Sequence, residues 1–426
     1  MSSTVIGNIA RERAAGARTG IASICTAHPM VIEATLIHAK SAAGDVLIEA
    51  TCNQVNQEGG YTGMTPADFR HFVENIADRV GFDRQRIILG GDHLGPNPWK
   101  SLPAEQAMLR AERMVDAYAR AGFTKLHLDT SMGCARESMA LADEVTASRA
   151  ARLANAAEAA ADGERPSYVI GTEVPVPGGA LEAIEHLDVT SPEAALQTVE
   201  VHRRAFAAAG AEQAFERAVA VVVQPGVEFG NANVIAYKPE RAKALSAVLS
   251  HMPQFVFEAH STDYQSAGAL QQLVADGFAI LKVGPWLTFA LRETLYGLDQ
   301  IAQVLVPSHV PNSLQATMEE LMLLHPVHWR SYYHGDAVEL RVQRHFSYSD
   351  RIRYYWPDPK ARQAVDRLMG LLGDRVIPET LVSQYLAAAY PAVVAGTVVT
   401  SARELLRSSI ERVLDIYAQA CGRNGI

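Results

Sequence analysis

The chain has 426 residues, with 38 Lys and Arg against 47 Asp and Glu and a formal charge of -9. This acid excess argues against nonspecific nucleic-acid binding and against a polybasic membrane anchor. With 48% hydrophobic and 20% charged residues, the sequence can bury a large core, either one large α/β domain with an extension or several ordinary domains.

The start, MSSTVIGNIARERAAGARTG, holds no apolar stretch of signal-peptide length, and no later run reaches a membrane span, so a cytoplasmic protein is expected. Cys25, Cys52, Cys134 and Cys421 form no CxxC pair, which fits a reducing compartment without disulfides.

Eight short apolar segments, many of them β-branched, recur along the chain. They are IASICTA from Ile21, DVLIEATC from Asp45, RIILGG from Arg86, FTKLHLD from Phe123, SYVIGTEV from Ser167, AVAVVVQP from Ala218, FVFEAH from Phe255 and FAILKVG from Phe278. The intervening stretches are long enough for helical crossovers. Pro103 to Arg120 places Ala, Leu, Met and Val at helical spacing, and Ser138 to Ala161 is rich in Ala, Glu and Arg. Parallel strands covered by helices follow, and the count predicts a TIM (β/α)8 barrel, with an open doubly wound sheet as the alternative. After Trp286 the strand series stops. Segments such as LQATMEELMLLHP and PETLVSQYLAAAYPAVV read as helices, predicting a barrel over residues 1–290 and a mainly helical extension over 291–426. The aromatic residues of that tail, Trp329, Tyr332, Tyr333, Tyr354, Tyr355 and Trp356, suit packing on the barrel or a subunit interface.

Polar clusters follow the predicted strands, and a barrel gathers such clusters at one mouth. In GGDHLGPNPWK, Asp92 can move a proton and His93 can bind a divalent metal, although an Asp-His pair can also serve a turn. Glu173 in GTEVPVPGG, Glu228 in QPGVEFG and His260 in FEAHSTD are expected at the same face, as metal ligands or as a polar sugar pocket. Asp129 in LHLDTS can assist proton transfer or cap the next helix. His28, Asn53, Gln54, Asn56 and Gln57 suit hydroxyl recognition, or local backbone bonding instead. Lys282 can attract a phosphate or carbonyl oxygen, and Lys125 raises the question of a Schiff base. The sequence has no GxxxxGK[ST] loop and no GxGxxG placed after the first strand, so no P-loop ATP site and no nicotinamide site are expected.

In combination, NQVNQEGGYTGM from Asn53, GGDHLGPNPW from Gly90, LHLDTSMGC from Leu126, GTEVPVPGG from Gly171 and FEAHSTDYQ from Phe257 are specific. Through them the sequence resembles the GatZ/KbaZ family over nearly its whole length. The resemblance implies a class II aldolase-like barrel and an accessory subunit supporting a smaller catalytic class II aldolase subunit in tagatose, galactitol or N-acetylgalactosamine catabolism. It also implies zinc or another divalent metal and a phosphorylated ketose as ligand, and it leaves a homo-oligomer open. Asp92 would be the acid/base, with His93, Glu173 and His260 at the metal. The pattern departs where Glu228 stands in place of the expected middle histidine, and where HSTDYQ replaces a glycine-rich phosphate segment. These departures leave a self-sufficient aldolase and a sugar epimerase or isomerase as alternatives. Some members carry a tagatose-6-phosphate kinase label, which the absence of a phosphate loop does not support.

Overall fold

In the computed structural model, residues 3–42, 44–172, 187–306, 308 and 313–422 are described. Eight parallel strands close a barrel: β1 (Ile21–Cys25), β2 (Val46–Thr51), β3 (Ile87–Leu94), β4 (Lys125–Leu128), β5 (Ser167–Ile170), β6 (Ala218–Val222), β9 (Val256–Ala259) and β10 (Ile280–Val283). The last pairs with the first, Ile21 opposite Ile280. A small antiparallel hairpin, β7 (Glu228–Phe229) and β8 (Val234–Ile235), stands outside the barrel sheet. All eight predicted strands are present, and the architecture is the expected TIM barrel.

Helices α1 (Ser3–Ala14), α2 (Pro29–Ala39), α3 (Pro66–Val80), α4 (Ala104–Arg120), α5 (Asp143–Ala160), α6 (Pro192–Ala208), α7 (Glu212–Glu216), α8 (Pro239–Ala247) and α9 (Ala267–Asp276) accompany the strands. Helix α4 shows why they pack. It buries Ala107, Met108, Ala111, Met114, Val115 and Tyr118, spaced three and four apart, and so turns one stripe to the sheet. Helix α1 instead lies across the floor of the barrel. Its Ile6, Ile9 and Ala10 join Ile21, Leu47, Ile88, Val256 and Ile280 in a core of their own.

A mainly helical region follows β10: α10 (Pro285–Leu305), α11 (Leu314–Leu324), α12 (Ala337–Phe346), α13 (Pro359–Leu372), α14 (Glu379–Tyr385), α15 (Tyr390–Val394) and α16 (Ala402–Cys421). Helix α16 packs between α9 and α2 and touches β1, completing the outer ring, while α10 carries α11, α13 and α14 on its far side. The backbone N–H of Gly20 bonds the Cys421 carbonyl at 2.8 Å, tying the end of α16 to the entrance of β1. The tail aromatics pack within the chain, with Trp329, Tyr333, Tyr355 and Trp356 buried. Among the described residues, no helix is long and apolar enough to cross a membrane.

Candidate active site

Alternate residues of a barrel strand face its interior, so each strand delivers a short inward series from floor to mouth. The series run Leu47, Glu49, Thr51 on β2; Ile88, Gly90, Asp92 on β3; Lys125, His127, Asp129 through β4; and Val256, Glu258, His260 through β9. Apolar residues fill the floor, charged ones the middle, and imidazoles and carboxylates the mouth. Gly90 is required in this stack because a Cβ there would lie 2.6 Å from Glu49 Cγ. Adjacent strand residues normally point to opposite faces, yet Asp92 and His93 both reach the mouth. His93 adopts φ 50, and the β3–β4 register shifts between Gly91 and Leu94, turning the chain so that both side chains project inward.

Three imidazoles converge. Ring centroids are 5.1 Å apart for His93 and His127, 4.9 Å for His93 and His260, and 5.1 Å for His127 and His260. Each ring has one nitrogen on a buried carboxylate. His93 Nδ1 lies 2.8 Å from Asp129 Oδ2, His127 Nδ1 2.9 Å from Asp92 Oδ1, and His260 Nε2 2.9 Å from Glu258 Oε1. A carboxylate that fixes one imidazole nitrogen leaves the other as the basic one, which is how metal-binding histidines are oriented. One ligand atom from each of Asp92, His93, His127 and His260 lies within 4.8 Å of the others. His127 Nε2 is buried without a hydrogen-bond partner, at a cost of about 1–3 kcal/mol that coordination would relieve.

The charges beneath point the same way. Lys125, wholly buried, lies 2.6 Å from both Glu49 and Glu258, and Lys282 pairs with Glu49 and, at 2.9 Å, with Asp92. With Asp129, four buried carboxylates face two ammonium groups, an excess of negative charge that a protonated His93 offsets in part and a divalent cation would offset in full. The donor set therefore fits a divalent metal. Burial opposes ionisation of Asp92, but His93, Lys282, the bond with His127 and His260 outweigh it and hold the carboxyl well below its usual range. Burial likewise opposes a charged His93, yet Asp92 and Asp129 raise it. At His260 burial prevails and lowers the imidazole to about 4.

A chamber of about 80 Å³ opens above His93 and His260 and is lined also by Thr51, Asn53, Gln54, Tyr61, Lys282, Arg353 and Tyr354. It abuts a larger cavity of about 510 Å³, which shares Cys25, Gln54, Tyr61, Gly284 and Arg353 and continues past His28, Trp356 and Arg362. Of the residues expected from sequence, Asp92, His93, His260, Asn53, Gln54 and Lys282 meet at the chamber, and Asp129 stands behind His93. His28 lines the outer cavity. Asn56 turns into its own loop, bonding Cys52, Glu58 and Gly60, and Gln57 bonds the Arg110 carbonyl. Glu228 is buried beside Ser261, outside the four-residue cluster, and burial lifts it to about 7. Glu173 lies outside the described residues. Lys125 is no Schiff-base amine. Burial lowers its affinity for a proton, but Glu258 and Glu49 raise it further, so the group is held charged.

The residues that sequence reasoning missed are His127, Glu49 and Glu258 inside the strands, and Tyr61, Arg353 and Tyr354 at the rim. His127 and Glu258 had a signal, because Lys125, His127 and Asp129 alternate along one strand face, as do Glu258 and His260.

Comparison with known proteins bears on what such a site serves. The family model described as D-tagatose-1,6-bisphosphate aldolase subunit GatZ/KbaZ-like matches residues 6–422. The chain belongs to the GatZ/KbaZ-like family. Within that similarity, it is 53% identical over 421 residues to the D-tagatose 6-phosphate 4-epimerase of Agrobacterium fabrum, covering 98% of each chain. It is also 61% identical to a solved structure described as a probable tagatose 6 phosphate kinase from Sinorhizobium meliloti 1021. That match has a TM-score of 0.89 and covers 94% of this chain and 100% of the other. The chain is thus similar to proteins described as an aldolase subunit, an epimerase and a kinase.

Proposed function

We propose that this chain is itself an enzyme, a divalent-metal-dependent epimerase acting at C4 of a ketose phosphate, with D-tagatose 6-phosphate as substrate. The observation that carries this reading is the complete three-histidine cluster with Asp92 beside it, in a chain 53% identical to a protein of that activity over nearly its full length. His93, His127 and His260 would hold the metal, which when bound supplies Lewis acidity for a carbonyl oxygen.

The chemistry follows from the sugar. In a 2-ketose the C4 hydrogen is not next to the carbonyl and is not acidic, whereas the C3–C4 bond is an aldol bond. Asp92, kept as a carboxylate, accepts the C4 hydroxyl proton. The C3–C4 electron pair moves toward the C2 carbonyl, leaving an enediolate and an aldehyde. Rotation of the aldehyde within the site and re-formation of the bond invert C4. The turned aldehyde oxygen then needs a proton from another group. Tyr354 lines the same chamber, and although burial raises its phenol, Arg353 and Arg351 lower it below its usual range. A kinase reading gains no support from the sequence, which has no GxxxxGK[ST] loop.

The accessory role expected from the resemblance is the second reading, favoured by the family description. The purified chain, loaded with a defined divalent metal, should convert D-tagatose 6-phosphate to its C4 epimer alone, with no deuterium entering at C4 in heavy water. No conversion alone, together with stimulation of a smaller class II aldolase subunit, would reject the epimerase in favour of the accessory role.

A further inference from the structure

We propose that Asp263 is a specificity residue that closes this site to ketoses phosphorylated at C1, so that the sugar accepted carries a free C1 hydroxyl. The inference rests on the ketose-phosphate reading above and names which phosphate the chamber rejects. In (β/α)8 barrels, phosphate is commonly held by the loops after the seventh and eighth strands, on N–H groups at the start of a helix. The corresponding parts here are the Ser261–Tyr264 turn after β9 and the start of α10 after β10. The place is already taken. Asp263 Oδ1 accepts the backbone N–H of Gly284 at 3.0 Å and of Trp286 at 2.8 Å, and Pro285 between them has none to offer.

The carboxylate is built in. Asp263 is 2% exposed and lines the chamber together with His93 and His260. Its turn is fixed by two residues in the left-handed region, Ser261 at φ 53 and Tyr264 at φ 64. On one side the Tyr417 hydroxyl of α16 bonds the Thr262 carbonyl at 2.9 Å and meets its hydroxyl at 3.0 Å. On the other, the Tyr264 hydroxyl bonds the Tyr348 carbonyl at 2.7 Å. A phosphate entering here would meet N–H groups already bonded and a carboxylate that burial pushes up to about 6, so that it is still ionised at neutral pH.

Available space sets the direction of the sugar. With its C2 carbonyl at the histidines, C1 is one bond away and must end inside the chamber of about 80 Å³, whereas the C4–C6 arm needs the cavity of about 510 Å³ beyond. At their junction, Arg353 bonds the Ser349 and Asp350 carbonyls and the Tyr354 hydroxyl; the Asp350 carboxylate acts on it through space, with no contact ion pair among the described residues. A guanidinium so placed suits the phosphate at the far end of the sugar.

Calorimetric binding to the metal-loaded full chain tests this with D-tagatose 6-phosphate and D-tagatose 1,6-bisphosphate. The wild-type protein should prefer the monophosphate by tenfold or more. Asp263→Ser should narrow that ratio at least tenfold by gaining bisphosphate affinity. Asp263→Asn, which keeps the acceptor oxygen and loses the charge, should move part of the way. Equal wild-type affinities would overturn the proposal, as would an unchanged ratio in both variants with their folds intact by circular dichroism. Discrimination without epimerisation would leave the role of Asp263 standing and reject only the epimerase reading. Failure to bind either sugar would reject both.

Discussion

Replacing Lys125 by Met tests whether the charged layer under the histidines is a matched set. Lys125 sits 2.6 Å from a carboxylate on each side, and all three groups are fully buried. Met fills much of the same volume, so the change removes a charge rather than opening a large cavity. Glu49 keeps Lys282, but Glu258 loses its ion-pair partner in a medium that solvates it poorly. Removing one partner of a buried ion pair costs about 3–5 kcal/mol. Unfolding entropy of about 2.1 cal/mol/K per residue gives roughly 0.9 kcal/mol/K for 426 residues, so the melting temperature should fall by about 3–6 °C. Differential scanning calorimetry of Lys125→Met measures the fall, and Lys125→Met with Glu258→Gln should recover part of it. A single variant melting within about 1 °C of wild type would refute the pairing argument.

His127→Phe removes the nitrogen left without a partner, and the affinity for zinc should drop at least about tenfold, the usual scale for disturbing such a site. Unchanged metal content after dialysis against a chelator would count against His127 as a ligand. His202 gives a pH prediction away from the site. It is fully buried, its Nδ1 lies 2.8 Å from the Thr198 carbonyl, and burial lowers it from 6.5 to about 4. The unfolded chain takes up the proton first, so this contribution is complete above pH 6.5 and declines as pH falls toward 4, by about 3 kcal/mol in all. His202→Phe should flatten that part of a urea-midpoint profile, and an unaltered slope would contradict the assignment.

The barrel was legible because its strands are apolar runs of the right length at regular intervals, and a buried parallel strand has little else to be. Helix α4 was legible to within a residue from its stripe. The site was only half legible, for a physical reason: loop residues after strands advertise themselves, whereas a polar residue inside an apolar run reads as an exception. Asp92, His93 and His260 stand at strand ends and were found. His127, Glu49 and Glu258 lie within strands, where only the two-residue alternation identifies them as interior. Asn56 and Gln57 looked like sugar-binding residues because amides suit hydroxyls, but amides also suit backbone groups, and here the loop uses them. Arg353 and Tyr354 come from the helical tail, and no local pattern reports that a segment so far along the chain folds back over the mouth.

The position of α16 has a consequence for how the molecule is made. The ring slot between α9 and α2 is filled by the segment Ala402–Cys421, long after β10 has completed the sheet. While the ribosome is still translating α11 to α15, the nascent barrel exposes the apolar flanks of α9 and α2 with nothing to cover them. Tyr417, which holds the turn carrying Asp263, is also absent from the assembly until then. The outer helical ring and the support of the barrel mouth are therefore completed together by α16, after every strand of the sheet has already been made.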